Sequence, residues 1–291
     1  MREALILLAP FGAAAAIYLP PLRRFGFPIA FAVSGAMASL ERGEFSWIWG
    51  AFSFAFLLGW FAEASPLTAF WAILGTGLAR ASLLFVHAPY GALLLSSALL
   101  FMLPSLWEEQ GLDLGEISVF LLLALLPLLT VEVPEGWRLL LVSVPLLGVF
   151  PFHLWVRSAM KGGPSPGALL LTAGFRPVIL LWLGLEGLEP SGAPFTKALT
   201  WLGAVSILWG SFRSLLAEDW DELCAFAATV EAGVMALLLA GSGIEASFFY
   251  SFLAGLSLLT LGMGSWGLKR WMEDGRSVTP VALLLLAGLL A

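Results

Sequence analysis

Four ionisable side chains stand inside strongly apolar stretches of this sequence, where a charge has few partners. They are Glu63 in "GWFAEASPLTAF", Arg80 in "TGLARASLLF", Arg176 in "LLLTAGFRPVILLW" and Glu231 in "CAFAATVEAGVMALLLA". Placing one such charge in the apolar core of a membrane costs about 2.5–3.5 kcal/mol on insertion scales, so each residue is a candidate for function. The chemistry that these groups can do is proton or ion handling along a buried polar path.

Each of these charges also has a structural interpretation. Glu63 and Arg80 lie near the ends of their apolar stretches, where a long side chain can reach the membrane interface. Arg176 and Glu231 lie deeper, so we expect either an ion pair that locks two helices together or part of a polar axis of charges and water. Pro177 directly follows Arg176 and removes a helical hydrogen bond, which favours a hydrated interior.

The stretch "GVFPFHLWVRSAMKGGPSP", residues 148–166, places a histidine two residues after a proline. Pro151 predicts a helix break, and broken helices at membrane depth occur where they are buried in protein or line water. His153 beside such a break is a candidate proton relay; the alternative is an interfacial histidine bonded to a loop carbonyl. Ser158 and Lys161 match the S-x-x-K pattern of serine nucleophiles, but its companion motifs are missing, so we do not expect this chemistry.

The composition indicates which solvent surrounds the chain. Its 291 residues are 60% hydrophobic and 12% charged, with a mean hydropathy of +0.95, whereas soluble domains have roughly a quarter charged residues. The sequence therefore predicts an all-α polytopic membrane helix bundle. No basic run indicates nucleic acid, and one cysteine with two histidines predicts neither a disulfide nor a metal site. No nucleotide-binding glycine motif occurs, so no cofactor is expected.

Apolar stretches of membrane length recur along the chain and predict about 10–12 transmembrane helices. We expect spans near 4–20, 25–41, 45–62, 64–86, 89–106, 116–133, 137–156, 166–188, 197–216, 222–242, 245–268 and 278–291. The helix near 139–156 is expected to be broken by Pro151. Because the loops between these spans are short, residues 1–291 are predicted to form a single transmembrane domain.

Several of these segments resemble one family. "FPFHLWVRSAMKGGPSPGALLLTAG" is similar to the signature loop of the antiporter-like membrane subunits of proton-pumping NADH:quinone oxidoreductase (complex I), Mrp-type sodium/proton antiporters and membrane-bound hydrogenases. "AEDWDELCAFAATVEAGVMALLLAGSG" and "SFFYSFLAGLSLLTLGMGSW" resemble segments that follow it in that family, and "FAEASPLTAF" resembles the helix with the family's buried glutamate. The resemblance covers residues 57–268 and leans toward the N-type or D-type subunits.

The resemblance implies a membrane-arm subunit of a multisubunit complex that translocates protons or sodium ions in a respiratory chain, with the redox chemistry on other subunits. It implies other hydrophobic subunits and membrane lipid as partners, and a bacterial, archaeal or organelle inner membrane as the location. In the family, the broken helix carries a pumping lysine, whose glutamate partner matches Glu63. Glu63, His153, Arg176 and Glu231 would then line the ion path.

The chain departs from the family pattern at residues that matter for pumping. Leu146 stands at the position of the lysine, and Arg176 stands where the next helix carries a lysine. A guanidinium keeps its proton in proteins, whereas a buried ammonium can release one. The family's histidine is replaced by Glu231, and its Lys-Arg pair by Asp221 and Glu222.

Two versions of the function remain open at this stage. One is a subunit that moves protons through its carboxylates and water; the other, which we favour, is a degenerate scaffold that extends the membrane arm. Because the sequence ends at Ala291, we expect the family's later helices and the exit half of the path to be absent or supplied by a neighbour. The alternative is a stand-alone secondary ion transporter. No set of catalytic residues predicts an enzyme, so we expect a subunit without catalysis of its own.

Overall fold

The computed structural model describes residues 2–61, 65–86, 89–104, 111, 113–161, 165–188 and 193–273. In these ranges all regular structure is helical. The helices are α1 (Arg2–Tyr18), α2 (Pro20–Arg23), α3 (Gly26–Leu40), α4 (Glu44–Phe61), α5 (Pro66–Leu84), α6 (Pro89–Leu100), α7 (Leu114–Leu129), α8 (Glu135–Leu147), α9 (Leu154–Ala159), α10 (Pro166–Leu169), α11 (Phe175–Leu185), α12 (Ala193–Leu215), α13 (Trp220–Gly241) and α14 (Gly243–Glu273).

Several helices have the length and composition of membrane spans. In the described part of the chain, five shorter apolar helices accompany four that are long and apolar enough to cross a membrane, at Pro66–Leu84, Gly167–Leu185, Trp220–Gly241 and Gly243–Gly262. These helices confirm the predicted all-α polytopic membrane bundle. The predicted span near 278–291 lies outside the described residues, and a single domain over residues 1–291 stays a prediction.

Close helix contacts hold the C-terminal part of the bundle together. α12 and α13 pack along their lengths, and small residues bring their backbones together. A methyl group at Gly203 would lie 2.8 Å from the carbonyl oxygen of Gly233, and one at Gly233 would lie 2.7 Å from that of Gly203. Small residues at such crossings let membrane helices approach closely. Since α14 packs against both α11 and α13, residues from these three helices meet in the interior.

The helix predicted near 139–156 is interrupted, and a glycine sets the point of interruption. α8 ends at Gly148, whose φ of 77° lies in the left-handed region that glycine adopts readily. The amides of Gly148 and Val149 donate to carbonyl oxygens of the last turn of α8, each over 3.0 Å. Pro151 lies three residues beyond this end, in residues 148–153, which we call the break segment. The break segment leads directly into α9.

A second irregularity precedes α11. Residues Leu170–Gly174 form a π-helical turn between α10 and α11, and Pro177 is the third residue of α11. Proline has no amide hydrogen to donate to the preceding turn, and π turns inside helices occur frequently at functional sites. Arg176 is the second residue after this turn, so the backbone irregularity and the buried cation occupy the same part of the helix.

Candidate buried ion-pair site

Arg176 lies in the interior of the bundle, with 1% of its surface exposed. Its Nη2 atom donates to the carbonyl oxygen of Ala228 on α13 at 3.0 Å, and its Nη1 atom lies 3.5 Å from Oε2 of Glu231 on the same helix. Its Nε atom has no hydrogen-bond partner in the described part of the chain. Because buried charges are stable when they are paired and hydrogen-bonded, the contacts with Ala228 and Glu231 explain how α13 accommodates this cation.

The end of α8 also approaches this guanidinium. A Cβ atom built on Gly148 would lie 3.5 Å from Nη2 of Arg176, so the C-terminus of α8 is next to the charge. The free carbonyl groups of a helix C-terminus make it partially negative, which favours a nearby cation. Phe175, the residue before Arg176, packs edge-on against Phe52 of α4, with ring centroids 5.6 Å apart. The helix break, α11 and α13 therefore converge on Arg176.

A phenol lies near this ion pair. Glu231 lies near the middle of α13 with 18% of its side chain exposed, and Tyr250 on α14 is close enough to interact electrostatically with both Glu231 and Arg176. We call Arg176, Glu231 and Tyr250 the polar cluster. Tyr250 was not among the predicted site residues, although the chain has three tyrosines and this one lies within a long apolar helix.

A second buried ion pair joins the end of α3 to α5. The Nε atom of Arg80 lies 2.5 Å from Oε1 of Glu41, and both side chains are 7% exposed. Arg80 therefore meets a buried carboxylate, and the expectation that it reaches the membrane interface stays a prediction. Glu41 was not predicted as its partner, because this residue follows α3 in a short polar connection, where a carboxylate is usually solvated.

His153 lies in the break segment, and its described contacts are with Phe150 and with Trp209 of α12. It is 5% exposed, its Nε2 atom accepts a hydrogen bond from the indole N–H of Trp209 at 3.1 Å, and its ring stacks on Phe150 with centroids 5.4 Å apart. The described contacts of His153 include neither Arg176 nor Glu231. The structure thus brings two of the predicted site residues together and leaves the histidine at a separate contact with α12.

An acidic residue at the start of α13, Glu222, contacts the short helix α9. Glu222 forms an ion pair with Arg157, and the Nζ atom of Lys161 lies 3.7 Å from Oε1 of Glu116 on α7. These side chains and Asp221 line an open cleft of about 470 Å³. Of the acidic pair Asp221-Glu222, Glu222 is therefore paired with an arginine that follows the break segment. In the described residues, no three His, Cys, Asp or Glu side chains are grouped to hold a metal ion.

Comparison with known proteins identifies the family. A sequence profile of the transmembrane region of the NADH:quinone oxidoreductase/Mrp antiporter family matches residues 54–278, well over half of the chain. The chain belongs to this family. The family resemblance found in the sequence is thereby confirmed, while the role of each site residue stays a prediction.

Individual members of the antiporter family match shorter regions. NADH-quinone oxidoreductase subunit N from Ectopseudomonas mendocina (strain ymp) is 30% identical over 171 residues, which are 57% of this chain and 34% of that protein. Subunit N from Geobacter metallireducens is 32% identical over 129 residues, or 43% of this chain and 28% of that protein. NADH-ubiquinone oxidoreductase chain 5 from Pelomedusa subrufa is 30% identical over 112 residues, or 33% of this chain and 18% of that protein. The match thus spans about a third or less of each relative's length.

In this member of the antiporter family, the position that the resemblance assigns to a lysine is apolar. Leu146 is 5% exposed on α8 and lines a cavity of about 20 Å³ together with Phe120, Trp155 and Ile179. A cavity with such a lining offers water too few hydrogen-bond partners. Glu63, the other expected member of an ion path through this region, lies outside the described residues.

Proposed function

We propose that this chain is an antiporter-like membrane subunit of a multisubunit complex that translocates protons or sodium ions, and that its buried ion pair has a structural or coupling role. Two findings support the first part of this proposal. The chain belongs to the antiporter family, and relatives that match it are named as subunits of NADH-quinone oxidoreductases. The observation that carries the second part is the burial of Arg176 between the Ala228 carbonyl group and the Glu231 carboxylate.

A guanidinium at this place can attract and orient a carboxylate, but it cannot hand a proton on. A proton carrier must bind and release a proton in each cycle, and arginine does not release its proton in proteins. Leu146 supplies no titratable group at the end of α8. The polar cluster is therefore better suited to hold α11 against α13, or to respond to a charge nearby, than to carry protons itself.

Partners and location follow from the same proposal. α12 exposes large apolar side chains, among them Trp201, Leu208 and Leu215, and such a surface requires lipid or another hydrophobic protein against it. Other hydrophobic subunits of the complex and membrane lipid would cover it. On the resemblance to complex I, the complex would lie in a bacterial or archaeal inner membrane, or in an organelle inner membrane.

Co-purification tests whether the chain belongs to a complex. The full-length chain, extracted in mild detergent through a terminal tag, is expected to recover several other hydrophobic subunits and a cofactor-bearing arm in stoichiometric amounts, measured by mass spectrometry. An unrelated tagged membrane protein from the same cells serves as the control. Recovery as a lone monomer or homodimer would overturn the proposal and favour a stand-alone secondary ion transporter, which ion exchange in liposomes would then reveal.

Replacing Glu231 by glutamine tests whether this carboxylate carries protons. In the reconstituted complex, E231Q is expected to leave the number of ions translocated per turnover unchanged, because an amide oxygen can still accept a hydrogen bond from Arg176. A side chain that transfers the proton itself contributes about 10²–10⁴-fold to a rate, so conduction through Glu231 would appear as near-complete loss. E222Q, which alters a carboxylate at the cleft on the same helix, is the matched control. Loss in E231Q alone, with assembly intact, would contradict the structural role.

A further inference from the structure

Two contacts attach the break segment to α12. The backbone amide of Phe150 donates to the hydroxyl oxygen of Ser206 at 2.8 Å, and the same hydroxyl donates to the carbonyl oxygen of Leu202 at 2.7 Å. The indole N–H of Trp209, about one helical turn further along, donates to Nε2 of His153 at 3.1 Å. The segment thus has one backbone contact and one side-chain contact with the same face of α12.

The direction of the second hydrogen bond determines where the imidazole proton lies. An indole N–H group can only donate, so the Nε2 atom of His153 must present a lone pair. A neutral imidazole with an unprotonated Nε2 carries its proton on Nδ1. Placing a proton on Nε2 would put two N–H groups against each other, and the contact with Trp209 would break.

Around the ring lie aromatic side chains and the backbone of Pro151, and none of these groups carries a charge. From the break segment the ring meets Phe150, and from α12 it meets Trp209. Arg157, which follows His153 by one turn on α9, forms its ion pair with Glu222 on α13. No carboxylate in the described part of the chain forms an ion pair with His153, and a buried charge without a partner is costly.

We propose that His153 is a positioning residue, a neutral hydrogen-bond acceptor that fixes the break segment to α12 through Trp209, with Ser206 as the second point of attachment. This assignment replaces the role of proton relay, because a relay must exchange protons at the nitrogen that Trp209 occupies. It rests on the contacts alone and does not depend on the proposed function of the chain.

Nitrogen-15 NMR of the histidine side chains tests the assignment directly. The chain has two histidines, and the resonances that disappear in H153Q belong to His153, so the other histidine need not be replaced. In the full-length protein, in nanodiscs, we expect a protonated Nδ1 and an unprotonated Nε2 between about pH 5 and 8, the range in which an unperturbed imidazole changes charge. W209F, which removes the donor, is expected to abolish the preference for this tautomer. An imidazolium at neutral pH, an Nε2–H tautomer, or an unchanged spectrum in W209F would overturn the proposal.

Rescue by a conservative variant separates a positioning role from a relay. Glutamine keeps a hydrogen-bond acceptor near the place of Nε2 but cannot relay protons, whereas leucine keeps only the bulk. We expect H153L to lower the ratio of folded to unfolded protein by about fivefold to tenfold, because the indole donor then lacks its partner, and H153Q to restore most of it. Equal losses in H153Q and H153L, or no loss in either, would contradict the assignment.

Discussion

Replacement of Arg176 by methionine is expected to lower the free energy of unfolding by about 3–5 kcal/mol, the cost of leaving one partner of a buried ion pair without the other. Glu231 would lose its partner 3.5 Å away, and the carbonyl oxygen of Ala228 would lose a charged donor at 3.0 Å. Methionine keeps a long apolar side chain, so little of the loss would come from an empty cavity. Reversible unfolding in mixed micelles, with the mutant and the parent protein measured side by side, gives this difference.

Two controls separate the buried charge from other effects of the substitution. R176M/E231M removes both charges and should recover most of the stability, because apolar replacements of a whole buried pair are often neutral or stabilising. R157M breaks the ion pair between Arg157 and Glu222, in which the arginine side chain is 53% exposed. This variant should lower the free energy of unfolding by only about 0.2–1 kcal/mol. If R176M cost no more than R157M, or if the double variant were as unstable as R176M, the pair would not hold α11 against α13.

The fold was predictable largely because the bilayer leaves the backbone few choices. In an apolar solvent every amide must find an internal partner, so an apolar run of sufficient length becomes a helix. The runs near 197–216 and 222–242 accordingly appear as α12 and α13 with their ends shifted by a few residues. Helix ends are harder to place, because caps depend on one or two residues whose backbone angles a hydropathy pattern does not contain.

The helix break shows this difficulty at a single position. Pro151 correctly predicted that the helix near 139–156 would not continue, but α8 already ends at Gly148. Pro145 lies within α8, so a proline alone did not determine where the helix stops. A glycine next to the last turn was the better indicator, since a left-handed cap is accessible to glycine at little cost.

The sequence could indicate which charged residues form the candidate site, but not which side chains contact one another there. Arg176 and Glu231 could be selected because a charge in an apolar run is costly, and an ion pair between helices was one of two expectations. The rotation of each helix about its own axis determines which side chains meet. The apolar pattern of this chain hardly defines that rotation. The contact of Trp209 with His153, the approach of Tyr250 and the pairing of Arg80 with Glu41 therefore required the structure.

The second large effect is expected at Gly148, where an alanine should destabilise the protein by about 2–5 kcal/mol. Part of this cost, about 1–2 kcal/mol, comes from placing a residue with a Cβ atom in the left-handed region. The remainder, about 1–3 kcal/mol, comes from overpacking, because the new methyl group would lie 2.6 Å from Cγ2 of Val156 on α9. Val156 is fully buried and has a stiff β-branched side chain, so it cannot turn away without moving α9.

Gly187 provides a closely matched control for this substitution. It caps α11 with a φ of 72°, and the amides of Gly187 and Leu188 donate to the last turn as those of Gly148 and Val149 do in α8. A Cβ atom there would meet nothing within 4 Å, so G187A should show the conformational cost alone, about 1–2 kcal/mol. In the double variant G148A/V156A the contact is removed, and its loss of stability should be smaller than the sum of the two single losses. Equal costs for G148A and G187A, or strict additivity in the double variant, would mean that the contact with Val156 does not hold α9 in its place after the break.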